Sequence, residues 1–399
     1  MHGVWFTAYA AGFFLATRSL VLYTIGMIGR GIVMLLAVPC CCTSAPEPCT
    51  ESVAGLLYEA ALRGDVPAME RCRACGADLN AVWEDGLTPL DAAAQEGRTA
   101  AVAWLLRHGA RPQGGGVYGI TPLMRAAENG HAETVRLLLE RGAGAEARDC
   151  EGDTALLYAV RRGRFAVAEL LLGVGKGPDT ALLNRALLVA ARRGEAPMLR
   201  LLVKHGAELE AKGAGGCAAL ALAAGEGHAE AVHALMELGA DPNAPDAEGV
   251  TPLMHAVSAG SEETVRCLLE GGADPSRGDA CGRSPLLVAA ETGRAPLVAL
   301  LRAHGAPEPD ASRMLRAACR GGLLTEVQSL LNAGVPADSP DADGRTPLMV
   351  AAFCGREAIV RLLLSHGADP TRPDSSGKTA ADYARPQLRP LLQEVPRVK

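Results

Sequence analysis

GITPLMRAAENGHAETVRLLLERGA, residues 119–143, decides the fold, because the chain writes it more than once. It returns as GVTPLMHAVSAGSEETVRCLLEGGA at 249–273 and as GRTPLMVAAFCGREAIVRLLLSHGA at 344–368. Thr121 and Pro122 start a helix, since proline is tolerated in the first turn, where its missing N–H costs nothing. Leu123, Ala126 and Ala127 form a small-residue stripe at helical spacing. Gly130 ends that helix. A second one starts near Ala132, buries Val135, Leu138 and Leu139, and stops at Gly142 in a left-handed turn.

Aligned on the glycine after the first helix, the chain carries Gly64, Gly97, Gly130, Gly163, Gly194, Gly227, Gly260, Gly293, Gly322 and Gly355. The spacing is 33 residues except 31 before Gly194 and 29 before Gly322, and a second glycine follows each by twelve, from Gly76 to Gly367. One unit of two short helices cannot cover its own apolar face. Stacked copies can, each serving as half of its neighbour's core. The composition agrees: of 399 residues 49% are apolar but only 4% aromatic, which suits many small Ala/Leu helices. A net charge of −6 gives no general affinity for nucleic acid. Twelve cysteines over this length are too sparse for a disulfide scaffold.

The 33-residue period resembles that of the ankyrin-repeat family. So do TPL at Thr88, Thr121, Thr251 and Thr346, GH at Gly130 and Gly227, and GAD at Gly76, Gly239, Gly272 and Gly367. The resemblance covers about residues 55–395. It implies an all-α solenoid of helix–turn–helix units with hairpin-like fingers, about ten repeats plus a C-terminal cap. It also implies a non-catalytic protein–protein interaction scaffold that works as a monomer.

The departures are specific. The family's TPLH carries Asp91, Met124, Leu157, Met254, Leu287 or Met349 at the His position. The bond from that His to the Thr is therefore absent, and apolar packing is expected in its place. The units at Gly64, Gly194 and Gly322 lack Thr-Pro. The first reads as an N-terminal cap. The other two coincide with the short spacings, so irregular joints are expected near 174–184 and 306–313. The array spans 51–395, with a capping unit interrupted by Pro386 and Pro390 and a tail at 396–399.

Residues 1–50 do not repeat and are strongly apolar. Residues 19–41 are long enough to span a bilayer, but Arg30 lies mid-span. A start at Met27 would instead make Arg30 a basic n-region and Gly31–Val38 the apolar run of a secretory signal. A eukaryotic reading would make Cys40, Cys41 and Cys42 juxtamembrane palmitoylation sites. Arg18 and Arg30 precede the acidic Glu47 and Glu51, so the repeats are expected on the non-cytoplasmic side, anchored or exported through residues 1–42. The alternatives are a cytoplasmic array and a misassigned start.

Catalytic constellations dissolve in register. Cys72 and Cys75 form a lone CxxC in which Cys72 takes the buried position of Leu138. A redox or metal pair there is the alternative function, but zinc needs four ligands and no second pair has matching spacing. No cofactor, metal set or catalytic residue is expected. A partner surface remains. Trp83, Leu87, Val117, Tyr118 and Ile120 fall at the tips of the first fingers, where an aromatic cluster suits a binding hot spot. Alternatively, the tips pack on one another. The last first-helix positions of two consecutive units read Arg161-Arg162 and Arg192-Arg193, which suits an acidic segment of another protein. The competing readings are a solvated face, offset by Glu128, and a purely structural spacer.

Overall fold

The computed structural model describes residues 50–83, 86–114, 116–174 and 177–393, and among them no strand occurs. Ten helix pairs succeed one another. The first five are α1 (Thr50–Arg63) with α2 (Val66–Ala74), α3 (Pro89–Gln95) with α4 (Thr99–Arg107), α5 (Pro122–Asn129) with α6 (Ala132–Glu140), α7 (Ala155–Arg161) with α8 (Phe165–Leu172), and α9 (Thr180–Arg193) with α10 (Ala196–Lys204). The next five are α11 (Ala219–Gly225) with α12 (Ala229–Glu237), α13 (Pro252–Ala259) with α14 (Glu262–Glu270), α15 (Pro285–Glu291) with α16 (Ala295–Ala303), α17 (Ala311–Gly321) with α18 (Leu324–Asn332), and α19 (Pro347–Cys354) with α20 (Glu357–Ser365). A short closing unit holds α21 (Ala380–Tyr383) and α22 (Arg389–Gln393), with Leu388 and Leu392 buried.

First helices pack on first helices and second on second: α5 lies between α3 and α7, and α6 between α4 and α8. Ala126, Ala127, Val135 and Leu138 are wholly buried at these contacts, while Leu139 is half-buried at the edge. Alanine lets first helices approach closely, and the second helices supply leucine and valine to fill the layer behind.

Three of the first-helix entries correct one expectation. The Met124 N–H donates to Thr121 Oγ1 at 3.2 Å, as an N-cap should. In return the Thr121 N–H faces Met124 Sδ at 3.3 Å, and the Thr346 N–H faces Met349 Sδ at 3.4 Å. At Thr88 the Asp91 carboxylate accepts from both the backbone N–H at 3.0 Å and the hydroxyl at 2.7 Å. Sulfur is a weak acceptor, but it still gives the buried N–H a partner. The slot therefore keeps its polar function at these three entries and is not filled by apolar packing alone.

The exits agree with the sequence: Gly130 and Gly142 sit at φ +84° and +83°. In several units the residue that opens the second helix reaches back to the preceding unit. His131 Nε2 lies 3.0 Å from the Gln95 carbonyl oxygen, Arg164 Nε donates to the Glu128 carbonyl at 3.1 Å, and His228 Nε2 lies 3.1 Å from the Arg192 carbonyl. These are the carbonyls a helix end leaves without an intrahelical partner, and a basic side chain suits the negative end of the helix. Successive fingers are joined by single backbone bonds, such as Cys150 N–H to the Tyr118 oxygen at 2.9 Å and Ala247 N–H to the Gly215 oxygen at 3.1 Å.

At both short spacings the first helix is longer than its neighbours. α9 has 14 residues and α17 has 11, capped by Asp179 and Asp310 in place of a Thr-Pro start. α17 also lies unusually close to α15. A Cβ on Gly321 would collide with the Ala290 carbonyl oxygen and the Gly293 backbone, so this joint requires glycine.

No helix among the described residues is long and apolar enough to cross a membrane. The expectations for residues 1–42 and for the 396–399 tail lie outside the described residues.

Candidate functional site

The long helix α9 carries Arg185, Leu188, Val189 and Arg192 at i, i+3, i+4 and i+7, one face of a helix. That face lines a groove of about 950 Å³ together with Leu157, Tyr158 and Arg161 of α7, Arg162 just beyond it, and Arg193. Glu128 of α5, Leu222 of α11 and the finger residues Gly213 and Ala214 complete it. Five arginines and one glutamate thus surround an aliphatic floor.

The structure brings together the four arginines expected from the sequence, but it gives them unequal roles. Arg161 pairs with Asp153, whose side chain is fully buried, and Arg185 NH2 holds the other oxygen of that carboxylate at 2.7 Å. Arg162 is bound to Glu128 through Nε at 3.1 Å and NH2 at 2.7 Å. Arg193 meets Glu195 at 3.2 Å. Arg192 is exposed and has no ion-pair partner among the described residues. Arg185 was not expected, although its i, i+7 relation to Arg192 marks the shared face. The Tyr158 hydroxyl donates to Asp149 at 2.7 Å. Burial, then that bond to a carboxylate, push the hydroxyl well above its ordinary pKa, so it stays protonated in the groove. Burial also acts to raise Asp149, but bonds from the Asp153 N–H, the Tyr158 hydroxyl and the Glu151 N–H outweigh it and hold that carboxyl below its usual range.

The finger tips do not form the expected exposed cluster. Leu87 is buried, 8% exposed, and packs with Tyr58 and Ala92. Trp83 is half-buried and stacked on Tyr58, with ring centroids 6.1 Å apart and planes 21° apart. Ile120 is half-buried against the main core. Tyr118 alone of these four is well exposed, at 70%, on a backbone with φ +67°. Leu87 is therefore packed in the core and is not exposed at a finger tip as expected. A side chain turned back onto α1 buries more apolar area than one left at a tip.

Cys72 is buried and Cys75 exposed, and both are free thiols. Burial is the main cause that raises the Cys72 pKa, the reverse of an activated thiolate.

The profile of ankyrin repeats in three copies matches residues 57–149, 113–181, 176–246, 220–313 and 307–374. The chain belongs to the ankyrin-repeat family. No curated protein matches it. Among solved structures it is similar to the ankyrin repeat domain of Bcl-3, a member of the IκB protein family, at 29% identity. That match covers 53% of this chain and 97% of that one, with a TM-score of 0.46.

Ankyrin repeats generally mediate protein–protein interaction, and the fold is typically a non-enzymatic scaffold. Within this ankyrin array one further cluster of chemically capable side chains was missed in the sequence: Cys217, Asp246 and His255, all half-buried. They come from two neighbouring fingers and one first helix. Their spacing matches no linear motif, so the only available signal was their place in the repeat register.

Proposed function

We propose that this ankyrin array is a non-catalytic scaffold that holds an acidic segment of another protein in the groove between α7 and α9. The observation that carries the reading is the groove itself, in which arginines ring a floor of Leu157, Leu188, Val189 and Leu222. Arg192 supplies a guanidinium with no competing carboxylate among the described residues. Arg162 and Arg193 hold half-buried partners, Glu128 and Glu195, at the groove margin, with which a ligand carboxylate can compete. Guanidinium forks pair carboxylates bidentately and are weakly hydrated, so they suit a site that loses water on binding. The floor calls for aliphatic side chains between the acidic ones. Tyr118 remains a candidate for contact beyond the groove.

The test uses a labelled synthetic peptide that alternates Glu or Asp with Leu, and a Lys-for-Glu control. Fluorescence anisotropy should show the acidic peptide binding, weakening steeply with salt. Arg162→Ser/Arg192→Ser/Arg193→Ser should weaken it at least ~10-fold, the effect of losing about 1.4 kcal/mol. Equal binding to both proteins at low and high salt would leave the arginines a solvated face. No binding to either would favour a structural spacer.

The charge order of residues 18–51 supports export or anchoring, with the array outside the cytoplasm. Sequencing the mature N-terminus tests this. An intact Met1 on a soluble cytoplasmic protein overturns it.

A further inference from the structure

Each finger that begins with aspartate uses that residue in the same way. Oδ1 of Asp149 accepts the N–H groups two and four residues on, at 2.9 and 2.8 Å. Oδ1 of Asp246 does so at 2.9 and 2.8 Å, and Oδ1 of Asp279 at 3.0 and 2.9 Å. Oδ2 is left to face two slots fixed by the repeat. One is nine residues on, in the next first helix. The other is 29 residues back, in the preceding finger. For Asp149 those slots hold Tyr158 and Ile120; for Asp279, Val288 and Val250, and Arg283 closes on Oδ2 at 2.7 Å. For Asp374 they hold Tyr383 and Arg345. Asp246 is different. Its slots hold His255 and Cys217, with His255 Nε2 at 3.0 Å from Oδ2 and Cys217 Sγ at 3.8 Å.

We propose that Cys217, Asp246 and His255 form a zinc site at the junction of these two fingers, with a fourth position open to water. The three ligand atoms lie within 4.8 Å of one another. A tetrahedral zinc, bound at roughly 2.0 Å to N and O and 2.3 Å to S, separates its ligands by roughly 3.3–3.5 Å. Two of the three separations, 3.0 and 3.8 Å, bracket that span, and the third, Sγ to Nε2, lies within 4.8 Å, so closure needs side-chain shifts that draw the three atoms onto one centre. The donor set selects the metal class. Thiolate with imidazole suits zinc, whereas calcium and magnesium take oxygen ligands. Binding releases the thiol proton to solvent. Thiolate and carboxylate then balance the dication, so a half-buried site carries no net charge. Arg192 and Glu248 are the nearby charged groups and are of opposite sign.

The same three residues do not make a nucleophilic triad. In a triad the nucleophile and the carboxylate address opposite ring nitrogens. Here the thiol and the imidazole Nε2 converge on one carboxylate oxygen. Convergence on a single point is the geometry of coordination.

Cobalt(II) titration of the full chain tests the site, in a background where Cys40, Cys41, Cys42 and Cys49 are Ser. The expected result is one equivalent of cobalt with a thiolate-to-metal charge-transfer band, displaced by zinc. Cys217→Ser should abolish the band. His255→Ala and Asp246→Asn should each weaken binding at least ~10-fold, as loss of even an outer-shell partner does. Asp246→Asn keeps an oxygen for the finger N–H groups, and far-UV circular dichroism of each variant checks that the array stays folded. Cys281→Ser, on the next finger, should change nothing. The site is refuted if the band is absent, if it survives Cys217→Ser, or if it ignores both His255→Ala and Asp246→Asn.

Discussion

Arg185 NH2 lies 2.7 Å from Asp153, a carboxylate with no exposed side-chain surface, and Arg161 closes on the other oxygen. Two of the five groove arginines are therefore tied to the fold. Arg161→Ala/Arg185→Ala would strand a buried charge and should cost about 2–3 kcal/mol. That is below the usual range for a buried pair, about 3–5 kcal/mol, because the two arginine side chains are themselves 41% and 47% exposed and partly screened. Arg192→Ser should leave the urea midpoint in place. A variant that changes Arg161 along with the others would confuse binding with stability, so the binding test leaves it intact.

Leu138 is wholly buried between neighbouring second helices. Leu138→Ala should cost about 2–5 kcal/mol. In a one-dimensional stack the loss should reach the adjoining units first. Hydrogen exchange should show lost protection in α4, α6 and α8 before it appears in α18 or α20. Uniform loss along the array would contradict the repeat register.

Trp83 should behave as a core residue of the first unit. Trp83→Ala removes the stack on Tyr58 and uncovers Leu87. A cost of about 2 kcal/mol is expected, below the range for fully buried aromatics because the ring is half-buried. Exchange in α1 should rise, while peptide affinity at the groove stays unchanged. A faster peptide off-rate with unaltered stability would restore Trp83 to the binding surface.

Two glycines inside helices should respond to alanine with opposite sign. Gly321→Ala drives a methyl into the α15 backbone and should lower the melting temperature. Gly225→Ala, in α11, meets only His255 at 3.8 Å, an ordinary contact. It should stabilise by about 0.4–1 kcal/mol by restricting the unfolded chain. Melting curves of the two variants decide it.

Acid should loosen the fingers. Hydrogen bonds outweigh burial and hold Asp149 below the usual carboxylate range; the same is true of Asp279, helped by Arg283. A depressed folded-state pKa means stability that is complete above the unfolded value, about 3.9, and lost as pH falls through the folded value. The melting temperature should be flat from neutral pH to about 5 and decline below about 4. Asp149→Asn should reduce that decline. A melting temperature that rises on acidification would reverse the sign and refute the account.

Much of the architecture was legible because its causes are local and repeated. Thr-Pro starts, alanine stripes and glycine stops act within a dozen residues, so ten registered copies declared the helix pairs. The arginine cluster was legible for the same reason: the period puts Arg161, Arg162, Arg192 and Arg193 at equivalent helix ends. What those arginines do was not, because Asp153 is buried only once α7 and α9 stack across it. The tip residues show the same limit. Whether Trp83 faces solvent or Tyr58 depends on the chain's return over α1, a contact 25 residues away in sequence. Cys217, Asp246 and His255 are ordinary residues in three different places until the fingers align and leave one carboxylate oxygen facing both a thiol and an imidazole. Local propensity and period wrote the helices; burial and convergence, which exist only between units, decided which charges are tied to structure and which stay exposed.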